Sequence, residues 1–387
     1  MACGRLAFDS AGLKIKQYDA FEIDEHALKL SSHNYPDIIH HGDVFEGDFS
    51  KFAGYDYLIG GSPCTYWSIA QSVNKRETEP RGLGWDLFSQ YLRALDQARP
   101  RYFIYENNAS MSPAIKKQIT KCFGFGPVLI NSALVSAQNR ERLYWVGKLD
   151  GGRYVPVGVE QPADRGIMLK DVLDGVALVG ESHAIIGSIG RTTPREYFFK
   201  NQGELTAQPI NDTEGKARAI RASYFKAGDL NLIDGDIGQC QTGVAHKLTS
   251  EPVGDRGNGG QSTRLYGING KSVTINANGG GGGAQTGLYC VPSSEGQHVY
   301  NVENGALIYK GRSCPVKLPD GLYQIRKLTI TECKRLQTVP EWYDMGVISK
   351  SQAYKCLGNG WTVEVIAHLI RATQNATKKG QLSLDIF

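Results

Sequence analysis

Short apolar runs alternate with helix-like stretches over the first 150 residues. This alternation predicts a parallel α/β sheet, in which ligands bind at the carboxyl ends of the strands. The polar residues that follow each strand are therefore the first candidates for a site. The predicted strands are Tyr18–Ile23, Tyr55–Gly60, Tyr102–Tyr105, Val128–Val135 and Arg142–Val146, and the predicted helices include Glu25–His33, Leu87–Ala98 and Pro113–Cys122.

The pattern changes near Gly151. Helical periodicity fades, short β-like runs alternate with Gly, Asn, Ser and Asp, and five glycines follow one another at Gly279–Gly283. Helical texture returns at Thr331–Leu336 and Thr362–Thr373. We therefore predict an α/β domain of residues 1–150 and 323–375, an inserted loop-rich β domain of residues 151–322, and a tail of residues 376–387.

Composition changes this picture little. Hydrophobic residues make up 41% of the chain and charged residues 21%, and the formal net charge of +4 permits a nucleic-acid partner without requiring one. None of the eight cysteines forms a Cys-x-x-Cys pair, so we expect neither a disulfide framework nor a metal site, and a reducing cytoplasm fits best. No apolar run approaches 20 residues, so we expect no membrane insertion.

Three segments carry the candidate chemistry. The apolar run that ends in Gly60-Gly61-Ser62-Pro63-Cys64 places Cys64 at a strand end, as a reactive thiol or as a small buried cysteine. Glu106, followed by Asn107, ends the next strand and is either a helix cap or a proton-transferring carboxyl group. Gln138-x-Arg140-x-Arg142 would point both guanidinium groups to one face of an extended segment, for an anion or a base carbonyl, or would form a solvated edge strand.

Two acidic residues suggest a cofactor. Glu22 ends the first predicted strand, where an acid can bind ribose hydroxyl groups. Asp43, in Gly42-Asp43-Val44, could accept a hydrogen bond from an adenine amine. Each signal is weak by itself.

Taken in order, these segments resemble the motifs of the cytosine-5 DNA methyltransferase family. The family's Pro-Cys, Glu-Asn and Gln-x-Arg-x-Arg motifs match Pro63-Cys64, Glu106-Asn107 and Gln138–Arg142. Its later motifs match Arg326–Glu332 and Gly358-Asn359, with a variable region between. The catalytic core looks closest to the de novo branch of the family, and the Gly-rich insert looks more like those of bacterial and phage enzymes.

The resemblance implies a Rossmann-like methyltransferase domain that uses S-adenosylmethionine, an inserted target-recognition domain, and duplex DNA from which the target cytosine is flipped. Cys64 would add to C6 of the base, Glu106 would bind N3 and the amino group, and Arg140 would contact O2. Pro63, Asn107 and Arg142 would support the pocket. The cofactor would be held by Ala2, Cys3, Gly4, Glu22, Ile23, Asp43, Val44, Gly61, Pro63, Asn359, Gly360 and Trp361.

The chain departs from the family pattern in three places. Ala2-Cys3-Gly4 resembles the glycine-rich loop of the first motif, but the strand before that loop is absent from the sequence, so we expect either a start inside a longer protein or a compromised cofactor site. Asn108 replaces a valine. Trp361 follows the closing Gly-Asn motif and would cover the cofactor, as in the de novo branch.

DNA contacts are expected from a basic loop and from the insert. The segment Thr65–Gly84 predicts a glycine-hinged lid over DNA, or an ordinary solvated loop. Sequence specificity would come from insert side chains in the major groove. The predicted DNA-binding residues outside the insert are Ser68, Lys75, Arg76, Arg81 and Gln138.

The tail Gln381–Phe387 resembles the peptide by which bacterial proteins dock on the replicative sliding clamp, or it packs on the body as an apolar tail. We expect a monomer. The rival functions are a transfer-RNA cytosine methyltransferase, a non-catalytic DNA-binding paralogue, and transfer of a modified methyl group.

Overall fold

The computed structural model describes residues 1–63, 66–68, 76–174, 252–255, 264–266, 270–272, 288–292, 299–309, 312–326 and 328–382. The first part of the chain forms helices α1 (Cys3–Ser10), α2 (Glu25–Asn34), α3 (Leu83–Ala98) and α4 (Pro113–Phe123). Its strands are β1 (Tyr18–Ala20), β2 (Ile38–His40), β3 (Tyr57–Gly60), β4 (Tyr102–Asn108), β5 (Val128–Asn131), β6 (Glu141–Asp150) and β7 (Arg153–Pro156).

These strands form two sheets. β1 and β2 pair in parallel, and β3, β4, β6 and β5 form a second sheet in that order, with β7 also paired to β6. β6 runs antiparallel to β4 and β5, so the expectation of a wholly parallel sheet is wrong there. The reason is chain length: residues 132–140 between β5 and β6 are too few for a crossover connection, which a parallel pair requires.

The carboxyl ends of β3 and β4 lie side by side, because the two strands are parallel and Gly60 pairs with Tyr105. β4 is buried along its whole length, as expected for a strand covered on both faces. On one face Phe103 and Tyr105 pack with Phe88 of α3 and with Phe123 of α4. This packing holds Glu106 at a fixed edge of the sheet.

The described residues of the insert and its return segment form a seven-stranded sheet. Its strands are β8 (Pro252–Asp255), β9 (Arg264–Tyr266), β10 (Leu288–Pro292), β11 (Val299–Glu303), β12 (Ala306–Tyr309), β13 (Arg312–Pro315) and β14 (Gly321–Arg326), in the order β13-β12-β11-β14-β10-β9-β8. β14 continues past the expected boundary at Leu322 as far as Arg326. At the other boundary, β7, Leu169 and Val172 belong to the α/β body although they follow Gly151.

The chain returns to the body through α5 (Ile330–Leu336), α6 (Lys350–Asn359) and α7 (Val363–Leu382). α5 begins with a capping box, in which the side chains of Thr329 and Glu332 each accept a hydrogen bond from the other residue's backbone amide group. α7 packs along α1 and buries Val365, Ile366 and Leu369. Within the described residues, no helix is long and apolar enough to cross a membrane.

Candidate active site

Glu106 is the central acid of the site. It lies near the end of β4 and is 7% exposed. Its Oε1 atom lies 3.0 Å from Nε of Arg142 on β6, and its Oε2 atom accepts a hydrogen bond of 2.9 Å from Nε1 of Trp361. Charge-assisted contacts of this kind fix orientation, so two elements remote in sequence aim this carboxyl group.

The turn that leads into Cys64 is fixed to β4. Asn107 Nδ2 donates to the backbone oxygen of Ser62 over 3.1 Å, and the hydroxyl groups of Ser62 and Tyr105 lie 2.6 Å apart. Cys64 itself lies outside the described residues, and Pro63, which is exposed, directly precedes it. Asn107 thus holds the turn at Ser62, and its supporting role in the pocket stays a prediction.

The two arginines take different partners. Arg140 is 3% exposed, and its Nη2 atom donates to the backbone oxygens of Gly358 and Gly360 over 3.2 and 3.0 Å. It directly precedes β6, so the twofold alternation of a strand does not apply to it. Its predicted contact with the base stays a prediction. Arg142, on β6 beside Glu106, is the guanidinium group at the site.

Gln138 is fully buried, so its predicted contact with DNA has no support in this structure. The backbone of Gln138 pairs with that of Ser272 in an isolated parallel β-bridge, and Asn139 N donates to Ser272 O over 2.9 Å. Neither polar atom of the Gln138 amide has a hydrogen-bond partner among the described residues. The segment of Gln138 is therefore where residues 270–272 of the insert attach to the α/β body.

Lys271 was missed by the sequence analysis. It is 2% exposed, and its ammonium group donates to the backbone oxygens of Ser136, at 3.2 Å, and Ile167. Burial lowers its pKa from the ordinary lysine value. The Gly270-Lys271 pair lies in a Gly-rich region, and its sequence gave no indication of this anchoring role.

The predicted cofactor acids lie after β1 and β2, the two parallel strands. Glu22 Oε1 accepts hydrogen bonds of 2.9 Å from the amide groups of Ile23 and Asp24, and Asp43 Oδ1 accepts one of 2.9 Å from Phe45 N. Ile23 is 72% exposed and Phe45 is 40% exposed. Carboxylates beside bare apolar side chains suit a ribose and an adenine ring, so these residues fit the predicted nucleoside. Phe45 was missed, although it directly follows the predicted Val44.

The start of the chain is packed into the body. Ala2, Cys3 and Gly4 are buried at the start of α1, and a Cβ atom at Gly360 would lie 2.5 Å from Met1 Cε. Burial raises the pKa of the Cys3 thiol, so this cysteine is not a rival nucleophile. Any contact of these residues with a cofactor would go through the backbone amide groups of α1.

The flanks of the predicted lid are fixed. Arg76 points inward and donates from Nη2 to Ser110 O over 2.7 Å, and Trp67 Nε1 donates to Glu77 Oε2 over 3.0 Å. A Cβ atom at Gly82 or Gly84 would lie 2.5 or 2.6 Å from the Glu77 carboxylate, so these glycines permit close packing against Glu77.

The remaining predicted residues lie as follows. Ser68 is half-buried, and Lys75 lies outside the described residues. Arg81 is exposed and pairs with Glu79 at 3.5 Å. Asn359 is exposed at the end of α6.

The site thus combines a Rossmann-like α/β body, an acid held at a strand end, and residues predicted to bind a nucleoside after neighbouring strands. The chain belongs to the C-5 cytosine-specific DNA methylase family, whose model matches residues 2–375. This confirms the family predicted from the motifs.

Individual relatives match smaller parts of the chain. The orphan methyltransferase M.Rho11sI of Bacillus phage rho11s is 33% identical over 36% of this chain and 30% of its own length. The type II methyltransferase M1.ScrFI of Lactococcus lactis subsp. cremoris is 26% identical over 57% of this chain and 59% of its own length. The matched segments thus span about a third to three fifths of these relatives.

The fold has solved counterparts. A methyltransferase from Entamoeba histolytica, EhMeth, superposes with a TM-score of 0.55 over 97% of this chain and 95% of that one, at 13% identity. A likeness at this identity concerns the fold alone, and it confirms the predicted Rossmann-like methyltransferase architecture.

Proposed function

We propose that this protein methylates C5 of cytosine in duplex DNA, with S-adenosylmethionine as cofactor. The observation that carries the proposal is the carboxyl group of Glu106, held by Arg142 and Trp361 at the end of β4. The turn that leads into Cys64 is tied to the same strand through Asn107. Membership of the C-5 cytosine-specific DNA methylase family supports the same reaction.

The Glu106 carboxyl group has enough hydrogen-bonding sites to bind the edge of a pyrimidine base. A carboxylate offers about four lone-pair sites, of which Trp361 engages one by a hydrogen bond, while Arg142 is held beside Oε1 as an ion partner. The others remain for the exocyclic amino group and, when the acid carries a proton, for N3. We assign the contact with O2 of the base to Arg142, because Arg140 is committed to the backbone of Gly358 and Gly360.

Cys64 is the nucleophile in this proposal. Its sulfur forms a bond with C6, the electrons of the C5–C6 double bond form a C4–C5 double bond, the electrons of the C4–N3 double bond move to N3, and the proton that Glu106 gives to N3 balances the charge. After C5 has received a methyl group, a base takes the proton from C5, the electrons of that bond re-form the C5–C6 double bond, and the sulfur leaves C6 with its bonding pair. The proton at N3 returns to Glu106. The cytosine must leave the base stack first, because the faces of C5 and C6 are covered there.

The cofactor would be held by Glu22 at the ribose and by Asp43 at the adenine amine, with Ile23 and Phe45 against the ring. When bound, S-adenosylmethionine supplies an electrophilic methyl group, which goes to C5. Target recognition would come from the insert, which attaches to the body through Lys271 and Ser272 beside Gln138.

Labelled S-adenosylmethionine tests the proposed function. The full chain is incubated with duplex DNA or with transfer RNA, alongside a Cys64→Ser variant, and the methylated positions are mapped at base resolution. We expect label at C5 of cytosine in DNA, and none with Cys64→Ser. Label confined to RNA would instead favour the transfer-RNA methyltransferase, and binding of DNA without any label would favour the non-catalytic paralogue.

We further propose a cytoplasmic monomer whose last residues, Gln381–Phe387, dock on a replicative sliding clamp. The support is the Gln-Leu-Ser-Leu-Asp-Ile-Phe sequence. α7 runs to Leu382, and residues 383–387 lie outside the described part of the chain. Equal recovery of the clamp by the full chain and by a chain ending at Gly380 would refute this docking.

A further inference from the structure

The hydrogen bond between Trp361 and Glu106 joins parts of the chain that lie 255 residues apart. Trp361 stands in the short turn between α6 and α7, and Glu106 stands near the end of β4. From sequence, Trp361 belongs to the cofactor site. The structure instead directs its indole N–H to the acid, at 2.9 Å.

The turn that carries Trp361 is itself held from the interior. Arg140 donates to the backbone oxygens of Gly358 and Gly360, and Gln337 Nε2 donates to those of Leu357, at 2.7 Å, and Gly360, at 3.3 Å. Arg140 is 3% exposed and Gln337 is fully buried. Hydrogen bonds shielded from water hold backbone in place well, so the indole ring has a defined position.

Glu106 needs such a partner. The terminal torsion of a glutamate side chain has a broad energy profile, so the carboxyl plane turns easily unless both oxygens are engaged. The contact with Arg142 is made at Oε1. Without a donor at Oε2, the carboxyl group would sample orientations in which it cannot meet N3 and the amino group of one base together.

We propose that Trp361 is a positioning residue for Glu106, and that Arg140 and Gln337 act through it by holding its turn. This inference rests on the proposed function, in which Glu106 binds the target base. It gives Arg140 a role that its buried contacts permit, and it moves Trp361 from the cofactor to the base side of the reaction.

The first test separates these two roles of Trp361 by kinetics. Trp361→Phe keeps an aromatic ring and removes the N–H donor. We expect kcat to fall about tenfold or more, because the lost hydrogen bond served a charged group, while the Kd for S-adenosylmethionine stays within about twofold. A weaker Kd for the cofactor with kcat retained would overturn the proposal.

Trp342→Phe is the matched control. Trp342 is 58% exposed, and its ring contacts those of Tyr35 and Tyr343. Since neither tyrosine touches the Glu106 carboxyl group through a described contact, we expect Trp342→Phe to leave kcat unchanged. An equal loss of kcat in both variants would mean that removal of any tryptophan disturbs the enzyme, and it would overturn the specific role of Trp361.

The second test needs no substrate. The chain has five tryptophans, so ¹⁵N-labelling of tryptophan gives few indole N–H resonances, and the signal that Trp361→Phe removes identifies Trp361. In Glu106→Gln this resonance should shift, and that of Trp342 should not. An unmoved Trp361 resonance would refute the contact. Because this readout is independent of methyl transfer, an inactive wild-type enzyme would count against the proposed function and would not affect the test of the contact.

Discussion

Gly61→Ala is the perturbation for which the structure gives the most specific expectation. A Cβ atom at Gly61 would lie 2.5 Å from the backbone oxygen of Glu106 and 3.2 Å from its Oε2 atom. Ordinary van der Waals contact begins near 3.4 Å, so the turn after β3 would have to move away from β4 by several tenths of an ångström. Overpacking of this kind costs about 1–3 kcal/mol of folding free energy.

The effect on activity should exceed the effect on stability. A displacement of about 1 Å at a reacting group can cost about a hundredfold in rate, and here the displaced segment is the turn that leads into Cys64, the proposed nucleophile. We expect kcat/KM for DNA methylation to fall by about ten- to a hundredfold. Chemical unfolding and methylation assays measure the two effects separately.

Gly158→Ala is the control for this substitution. Gly158 is exposed, and a Cβ atom there would meet no described atom within 4 Å, so both stability and activity should stay near the wild-type values. If Gly61→Ala behaved like Gly158→Ala in both assays, the close approach of the turn to Glu106 would not exist in solution, and the placement of the site would be wrong.

Three further outcomes depend on single contacts. Gly84→Ala should destabilise the protein by about 1–3 kcal/mol in urea unfolding, although alanine normally favours a helix, because its Cβ atom would lie 2.6 Å from Trp67 Nε1 and 2.9 Å from Tyr66 Cβ; a more stable variant would contradict the packing. Burial would raise the pKa of Glu364, but hydrogen bonds from Ser10 and from Arg165 outweigh burial and lower this pKa. The protein should therefore be more stable than its Glu364→Gln variant above about pH 4.5, and this difference in unfolding free energy should vanish on further acidification. A difference that grows toward low pH would contradict this. Gln138→Leu removes a buried amide that has no partner among the described residues and should leave the unfolding free energy unchanged or raise it by about 1 kcal/mol, whereas a loss above about 2 kcal/mol would reveal a partner.

Much of the α/β body could be predicted because its elements are amphipathic or wholly apolar. The predicted helix Pro113–Cys122 extends by one residue to Phe123, and the predicted strand Tyr102–Tyr105 extends to Asn108. Because of that extension, Glu106 lies within the strand. It is buried there, which a polar residue does not suggest from sequence. α1 gave no clear local signal, because it is stabilised by packing on α7, which is far away in sequence.

The sequence predicted which residues form the site better than it predicted the contacts that each of them makes. Glu106, Asn107 and Arg142 lie together at the end of β4, as their motifs led us to expect. The different contacts of Arg140 and Arg142 depend on where β6 begins, and a boundary of one residue is beyond what periodicity can define. The contact of Trp361 with Glu106 arises from tertiary packing of a turn, for which sequence offers no local rule.

The most direct test of the central claim is to trap the covalent intermediate. Fluorine at C5 of the target cytosine cannot leave as a cation, so an enzyme that adds a cysteine to C6 and then methylates C5 should stop as a stable protein–DNA adduct. We predict that the full chain, with S-adenosylmethionine and duplex DNA containing 5-fluorocytosine, yields such an adduct, that mass spectrometry places it on Cys64, and that Cys64→Ser forms none. An adduct on the exposed Cys122, or methylation of ordinary cytosine by Cys64→Ser, would contradict the account.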